Sequence, residues 1–252
     1  MINKRRKFIF KTINIILEDD KFGYIRKSGI YSKISATSYR KMQLPDFETL
    51  VKTTAIIDLI ASKDKIFRKF NDTTRNEIRK TERNDILKFI SDDNNFKESY
   101  WLYKNLEYAQ GRVPASKADL NKCKLFSCYY KGEMISAVYL MTAYPYLRVR
   151  SIFSKRLQIE DKEAYKIISN TTRRLILDIC LWGKEREFQS LDLASVNFKN
   201  PKTANITKFK MSFGGTVVNE YTYIYKSKSF KFFEKFVFLK IFILKLVNLI
   251  KK

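Results

Sequence analysis

The sequence predicts an α/β (α+β) fold in which a mixed β-sheet is flanked by helices. Three stretches carry that expectation. Lys124 to Phe153 alternates apolar and polar residues between turn signals, as an antiparallel meander does. Glu160 to Glu187 sets Ile167, Ile168, Leu175, Ile176, Ile179, Leu181 and Trp182 on one helical stripe. Gln189 to Tyr225 then gives a strand, a polar crossover, a short helix and a second strand. A strand–crossover–strand run of that length favours parallel pairing, so the sheet should be mixed.

Taken in order, residues 8 to 45 predict short strands and turns, Phe8 to Leu17 and Tyr24 to Ile34, before a loop ending at Leu44-Pro45-Asp46. Phe47 to Ile60 predicts a helix. Together, residues 1–64 form a partial N-terminal subdomain ahead of a main domain at 65–228. Asn71-Asp72-Thr73-Thr74 is a helix start with Asp72 as N-cap. Arg75, Arg79 and Arg83 follow at four-residue spacing, which puts three guanidinium groups on one face. With Glu82 and Asp85 nearby, that face is either a solvated surface or an anion site. Phe96 to Gln110 predicts a helix closed by Gly111-Arg112-Val113-Pro114. Its aromatics suit a core, and Tyr108 beside the turn is the one set to reach substrate.

The meander strands are Lys124–Tyr130, Glu133–Tyr144 and Leu147–Phe153, joined at Lys131-Gly132 and Pro145-Tyr146. In the third strand, period-2 alternation groups Leu147, Val149 and Ser151 on one face and Arg148 and Arg150 on the other. Arg148, Arg150 and Ser151 are therefore candidates for substrate binding.

Composition narrows the chemistry. The chain has 252 residues and is 45% apolar, enough to bury a core. Fifty Lys plus Arg against 26 Asp plus Glu give a net charge of +24, which implies an anionic partner such as nucleic acid, anionic lipid or a phosphorylated substrate. Lysine-rich codon usage is the plain alternative for the count. The chain contains no histidine, so no His base, triad or metal ligand exists, and no metal is expected. Cys123, Cys128 and Cys180 lack CxxC spacing, which argues for a reducing compartment and against a zinc site. Small apolar core positions suit all three.

The start, Lys4-Arg5-Arg6-Lys7 followed by apolar residues, is broken by Lys11, Asn14 and Glu18-Asp19-Asp20, unlike a signal peptide. The tail, residues 229–252, is rich in Phe and Leu but carries Lys231, Lys235, Lys240, Lys245, Lys251 and Lys252. Its apolar stretch is too short and too charged to span a bilayer. It suits a basic amphipathic helix on an anionic membrane surface, with lysines snorkelling to the headgroups.

The centre of the chain is Phe209-Lys210-Met211-Ser212-Phe213-Gly214-Gly215. Lys210 stands between two aromatics expected to be buried, just ahead of a Gly-Gly turn, so it is a positioned lysine; the plain alternative is a structural lysine snorkelling past Phe209. A fixed cation in a dry cleft stabilises developing negative charge. Asp192, pointing opposite to Leu191 and Leu193, either orients an acceptor amine, serves as base, or caps a turn.

The Phe-Lys-x-x-Phe-Gly-Gly pattern, together with Arg75-Asn76-Glu77-Ile78-Arg79-Lys80, resembles the FemABX-type acyltransferases, which carry a GNAT-like fold. The likeness covers residues 65 to 225. It implies a splayed sheet that opens into a V and holds the acyl donor there, and it implies that Lys210 acts at the reacting carbonyl. Ordinary GNAT enzymes bind CoA pyrophosphate through a glycine loop ahead of the long helix. Here Ser154-Lys155-Arg156-Leu157-Gln158-Ile159-Glu160 contains no glycine. The acyl donor is accordingly either acyl-CoA or aminoacyl-tRNA, and tRNA suits a basic chain.

The resemblance thus implies a bacterial N-acyltransferase that acts on a glycan or lipid-linked cell-envelope precursor. It would be cytoplasmic and peripheral on the inner face of the plasma membrane. The alternatives are an aminoacyl-tRNA-dependent transferase for peptidoglycan precursors, or a non-catalytic scaffold or nucleic-acid-binding protein.

Overall fold

A computed structural model describes residues 1–7, 9–158 and 160–236. The chain forms two compact units, one of Met1–Lys52 with the chain from Asn219 onward, the other of Thr53–Val218.

In the smaller unit, β1 (Ile2–Lys7) and β2 (Phe10–Ile16) form an antiparallel hairpin. Helix α1 (Asp19–Lys27) leads to β3 (Lys33–Ser38), which pairs parallel to β2 and antiparallel to the C-terminal strand through Tyr221–Lys226. Ile13, Ile15, Phe22, Ile34, Ala36 and Tyr223 make its core. The strand expected over Tyr24–Ile34 is corrected: α1 occupies its first half, since Asp19 and Asp20 favour a helix N-terminus and Gly29 turns the chain at a φ of 63°. Residues 228–236 are helical, and Phe230 is buried edge-on against Phe10. The remainder of the expected tail helix, 237–252, lies outside the described residues. Among the described residues no helix is long and apolar enough to cross a membrane.

Strand β4 (Glu48–Asp58), whose residues from Thr53 on begin the larger unit, stands where a helix was expected. Thr49, Val51, Thr53, Thr54, Ile56 and Ile57 are β-branched and stiff at χ1, and burial of Thr54, Ala55 and Ile57 fixes the extended form. Helices α2 (Lys63–Lys69) and α3 (Asp72–Glu82) follow. The N-cap of α3 is Asn71, whose side chain accepts from Thr74 N, and Asp72 stands one residue inside. Strand β5 (Leu87–Ser91), helix α4 (Phe96–Ala109) and the short α5 (Lys117–Leu120) precede the meander of β6 (Lys124–Tyr130), β7 (Glu133–Ala143) and β8 (Tyr146–Ser154). A 3-10 turn at Lys155–Gln158 leads into the long α6 (Lys162–Glu185), then β9 (Ser190–Val196), α7 (Ala204–Met211) and β10 (Thr216–Lys226).

The strand order in this unit is β4-β9-β8-β7-β6-β5. All neighbours are antiparallel except β8 and β9, which run parallel across α6, so the sheet is mixed as expected. Helix α6 covers one face, packing on Val138, Leu140, Leu147, Val149, Leu191 and Leu193. Helix α4 covers the other, with Tyr103 edge-on to Tyr139 and Phe153.

The two motif segments that resemble the acyltransferases pack on each other. Arg75 donates to the carbonyls of Arg68 (2.8 Å) and Phe70 at the end of α2 and pairs with Asp72. Asn71 N donates to Ser212 O at 2.9 Å, and Thr74 and Ser212 share a buried hydroxyl bond. Gly214 sits at a φ of 65° directly against the Lys69 carbonyl, where a Cβ would overlap backbone oxygen. Gly214→Ala therefore combines a left-handed penalty with a clash that no side chain can relieve. Chemical denaturation is expected to show a loss of at least ~2 kcal/mol; an unchanged midpoint would mean the contact does not exist in solution.

Candidate functional site

The pairing of β8 with β9 is short. Its register runs Tyr146↔Ser190, Leu147↔Leu191 and Arg148↔Asp192, and then the strands part. Each strand is bulged just beyond that point. On β8, Ser151 opposes Tyr139 and Val149 opposes Leu140, which leaves Arg150 as the extra residue. On β9, Ser195 opposes Thr54 and Asp192 opposes Ile56, so Leu193 and Ala194 share the single partner Ala55. Ala194 takes a φ of 61°, which costs an alanine ~1 kcal/mol or more and persists only where the surroundings impose it. Extra residues kink strands and strengthen twist. Two of them, on either side of one gap, splay the sheet as the resemblance implied.

Asp192 sits at the apex of this gap and is completely buried. Its carboxylate accepts from Arg148 Nη1 at 2.6 Å, from Ala194 N at 2.6 Å and from Thr54 Oγ1. One side chain thus ties β8, β4 and the bulged turn of β9 together. Asp192 lies mid-strand and caps no strand end. Thr54, which sequence reasoning missed, is a buried threonine on a strand expected to be a helix.

Lys210 is in the last turn of α7, and its Nζ donates to the carbonyl of Ser195 at 2.8 Å. The cation is thereby fixed on the diverging stretch of β9. The expected grip between two buried rings is corrected. Phe213 is buried, but Phe209 is half-buried under the Arg173 guanidinium, 5.2 Å away, and the two rings touch each other edge to face at 5.1 Å. Helical rotation sends Lys210 away from that pair.

The other expected site residues fall out differently. Arg148 is 14% exposed and committed to Asp192. The β8 bulge shifts the alternation, so Ser151, opposite Tyr139, shares the face of Arg148 and leaves that of Leu147 and Val149. Arg150, the bulged residue, is exposed. Arg75 is spent on the end of α2, and Arg79 lies 5.6 Å over Phe67 and donates to Asn76, so these two do not form a common anion face. Tyr108 is exposed at the end of α4 with Lys104 over its ring.

Where a CoA pyrophosphate would approach, the N-terminus of α6 is already capped. Asp161 accepts from Ala164 N at 2.7 Å, and Glu163 adds a second carboxylate to the first turn. Lys155 ahead of it is paired with Glu133. Carboxylates at a helix start oppose a second anion there.

The three thiols are buried and free. Burial pushes Cys123 up to about 11 and Cys128 to about 12, and it raises Cys180 as well. They stay protonated at neutral pH, which leaves no thiolate nucleophile. Among the described residues no group of three or more His, Cys, Asp or Glu is arranged to hold a metal ion.

No family model matches the chain, and no curated protein matches its sequence. Solved structures match its fold. FemX is 10% identical and covers 88% of this chain and 82% of its own at a TM-score of 0.60. L-PGS from Bacillus licheniformis is 14% identical and covers 90% and 81% at 0.55. A C-terminal domain from Agrobacterium fabrum, assigned to a lysylphosphatidylglycerol synthetase, is 12% identical and covers 90% and 81% at 0.55. The chain shares the fold of these proteins.

Two outcomes test the site as built. Arg148→Met strands a buried carboxylate and should cost ~3 kcal/mol in urea unfolding, while adding Asp192→Asn should recover part of the loss; additive losses would mean that the two do not interact. An aromatic disulfide reagent should label no thiol in the native protein and all three after unfolding, and rapid native labelling would contradict the burial.

Proposed function

We propose that this chain is an N-acyltransferase of the FemABX/GNAT type that transfers an acyl or aminoacyl group to an amine of a cell-envelope glycan precursor. The observation that carries the proposal is the ammonium of Lys210 held on the Ser195 carbonyl, on the stretch of β9 that has left its partner strand. Backbone groups along a parted strand are free to pair with an extended ligand. An acyl donor lying in that gap brings its carbonyl toward a fixed positive charge.

In the reaction the acceptor nitrogen adds to the acyl carbon, and the carbonyl electron pair moves to oxygen. Lys210 stabilises the resulting oxyanion. Collapse breaks the carbon–sulfur bond of a thioester, or the carbon–oxygen bond of an aminoacyl ester, as the carbon–nitrogen bond is retained. The proton lost by nitrogen ends on the departing thiol or ribose hydroxyl. Asp192 acts by positioning: a buried carboxylate with Arg148, Thr54 and a backbone amide around it holds the bulge in shape. Arg150 and Ser151, beyond the apex on β8, are the groups proposed to meet substrate.

The donor is acyl-CoA or aminoacyl-tRNA. The Asp161 cap of α6, with Glu163 in its first turn, disfavours the usual pyrophosphate seat and supports the tRNA version, as does the net charge of +24. The lysine-bearing tail would hold the enzyme on the inner face of the plasma membrane. That setting agrees with a fold shared with a domain whose name refers to lysylphosphatidylglycerol.

The test uses acyl thioesters and aminoacyl-tRNA as donors with a panel of amino-sugar acceptors, followed by mass spectrometry of the products. Lys210→Met should lower turnover by ~10²-fold or more while leaving the unfolding midpoint in place. RNase should abolish the reaction only if tRNA is the donor. A variant as active as the parent would remove Lys210 from the chemistry, and no turnover with any donor would favour a scaffold.

A further inference from the structure

The outward face of α4 has no part in the site described above. Lys97, Trp101, Lys104 and Tyr108 follow one another at intervals of four, three and four residues, so they form a single line along the helix. Trp101 is 56% exposed and Tyr108 is 57% exposed, and the Lys104 ammonium lies 5.5 Å from the Tyr108 ring centre. Just past the helix, Val113 stands 92% exposed on the Gly111-Arg112-Val113-Pro114 turn. The inner face is settled: Ser99, Leu102 and Tyr103 are buried, and Ser99 bonds the Tyr139 hydroxyl at 2.9 Å.

The acids of this helix are turned away from the line. Glu98 accepts from Met134 N at 2.7 Å and from the Asn95 amide at 2.7 Å, and Glu107 is buried against Arg112. What remains outward is aromatic, aliphatic and cationic. Trp and Tyr are the residues whose flat apolar bodies and polar edges suit the headgroup boundary of a bilayer, and lysines beside them meet anionic lipid. A single-stranded nucleic acid would also stack on the rings, but it offers nothing to an aliphatic side chain projecting from a turn. Val113 decides for lipid.

We propose that the outward face of α4, with the Val113 turn, is a docking surface for an anionic phospholipid bilayer. It is separate from the 229–252 tail and from the Lys210 chemistry, so it stands or falls without either.

The sequence supplies its own probe, because it contains two tryptophans and Trp182 is in the core. The full chain is titrated with phosphatidylcholine vesicles, with vesicles that also contain phosphatidylglycerol, and with bulk tRNA. The difference in emission between the parent and Trp101→Phe isolates Trp101. Expected are a blue shift and quenching by brominated lipid on the anionic vesicles alone, with binding weakened roughly tenfold in Val113→Asp and in the Lys97→Glu/Lys104→Glu pair. Vesicle binding with Trp101 still in water would assign attachment to the tail and overturn the proposal. A Trp101 shift with tRNA but not with vesicles would overturn it too.

Discussion

A carboxylate buried at the point where two strands separate imposes a condition on everything around it. Asp192 is shut off from solvent, and a carboxylate in that position is tolerated only if donors are built in. Arg148 from one strand, Thr54 from a second and the Ala194 amide from its own turn are those donors. Meeting that need fixes the register of three strands and forces Ala194 into a left-handed conformation. The bulge that follows presents the Ser195 carbonyl to Lys210. The bulge of β9 and the location of the cation meet at this one carboxylate.

A second constraint explains why two distant stretches of sequence keep company. Residues 69–75 and 212–214 form one backbone-to-backbone contact, with Gly214 under the Lys69 carbonyl and Ser212 bonded to Asn71 and Thr74. Arg75, one of the arginines that looked available for an anion, closes this contact by capping α2. A helix whose last turn carries Lys210 must be anchored at its end if the ammonium is to stay on the Ser195 carbonyl, and this junction anchors α7.

Strong local periodicity made several elements legible in advance. The meander, the long α6 with its stripe, α4 and the strand–helix–strand run through Lys210 were all recoverable, because each satisfies its own period without outside help. The N-terminal region was legible only in part: β2 lies within the strand expected over Phe8–Leu17, whereas α1 and β4 replaced the elements expected at Tyr24–Ile34 and Phe47–Ile60. Glu48–Asp58 mixes threonine, valine and isoleucine with charges in a pattern compatible with an amphipathic helix, and pairing with β9 made it a strand. Alternation failed within β8 as well, since a bulge adds one residue and carries Ser151 to the opposite face, and no local signal at Val149-Arg150-Ser151 announces it.

The sequence by itself determined the mixed α/β class, the absence of any histidine and the basic character. These depend on residue type and on spacing within one element. Only the tertiary structure decided which arginines are structural, that Asp192 is a buried tie, and that Phe209 and Phe213 pack on each other while Lys210 turns to Ser195. Such facts depend on pairing between residues such as Thr54 and Asp192, which are far apart along the chain and meet only once β4 and β9 lie side by side.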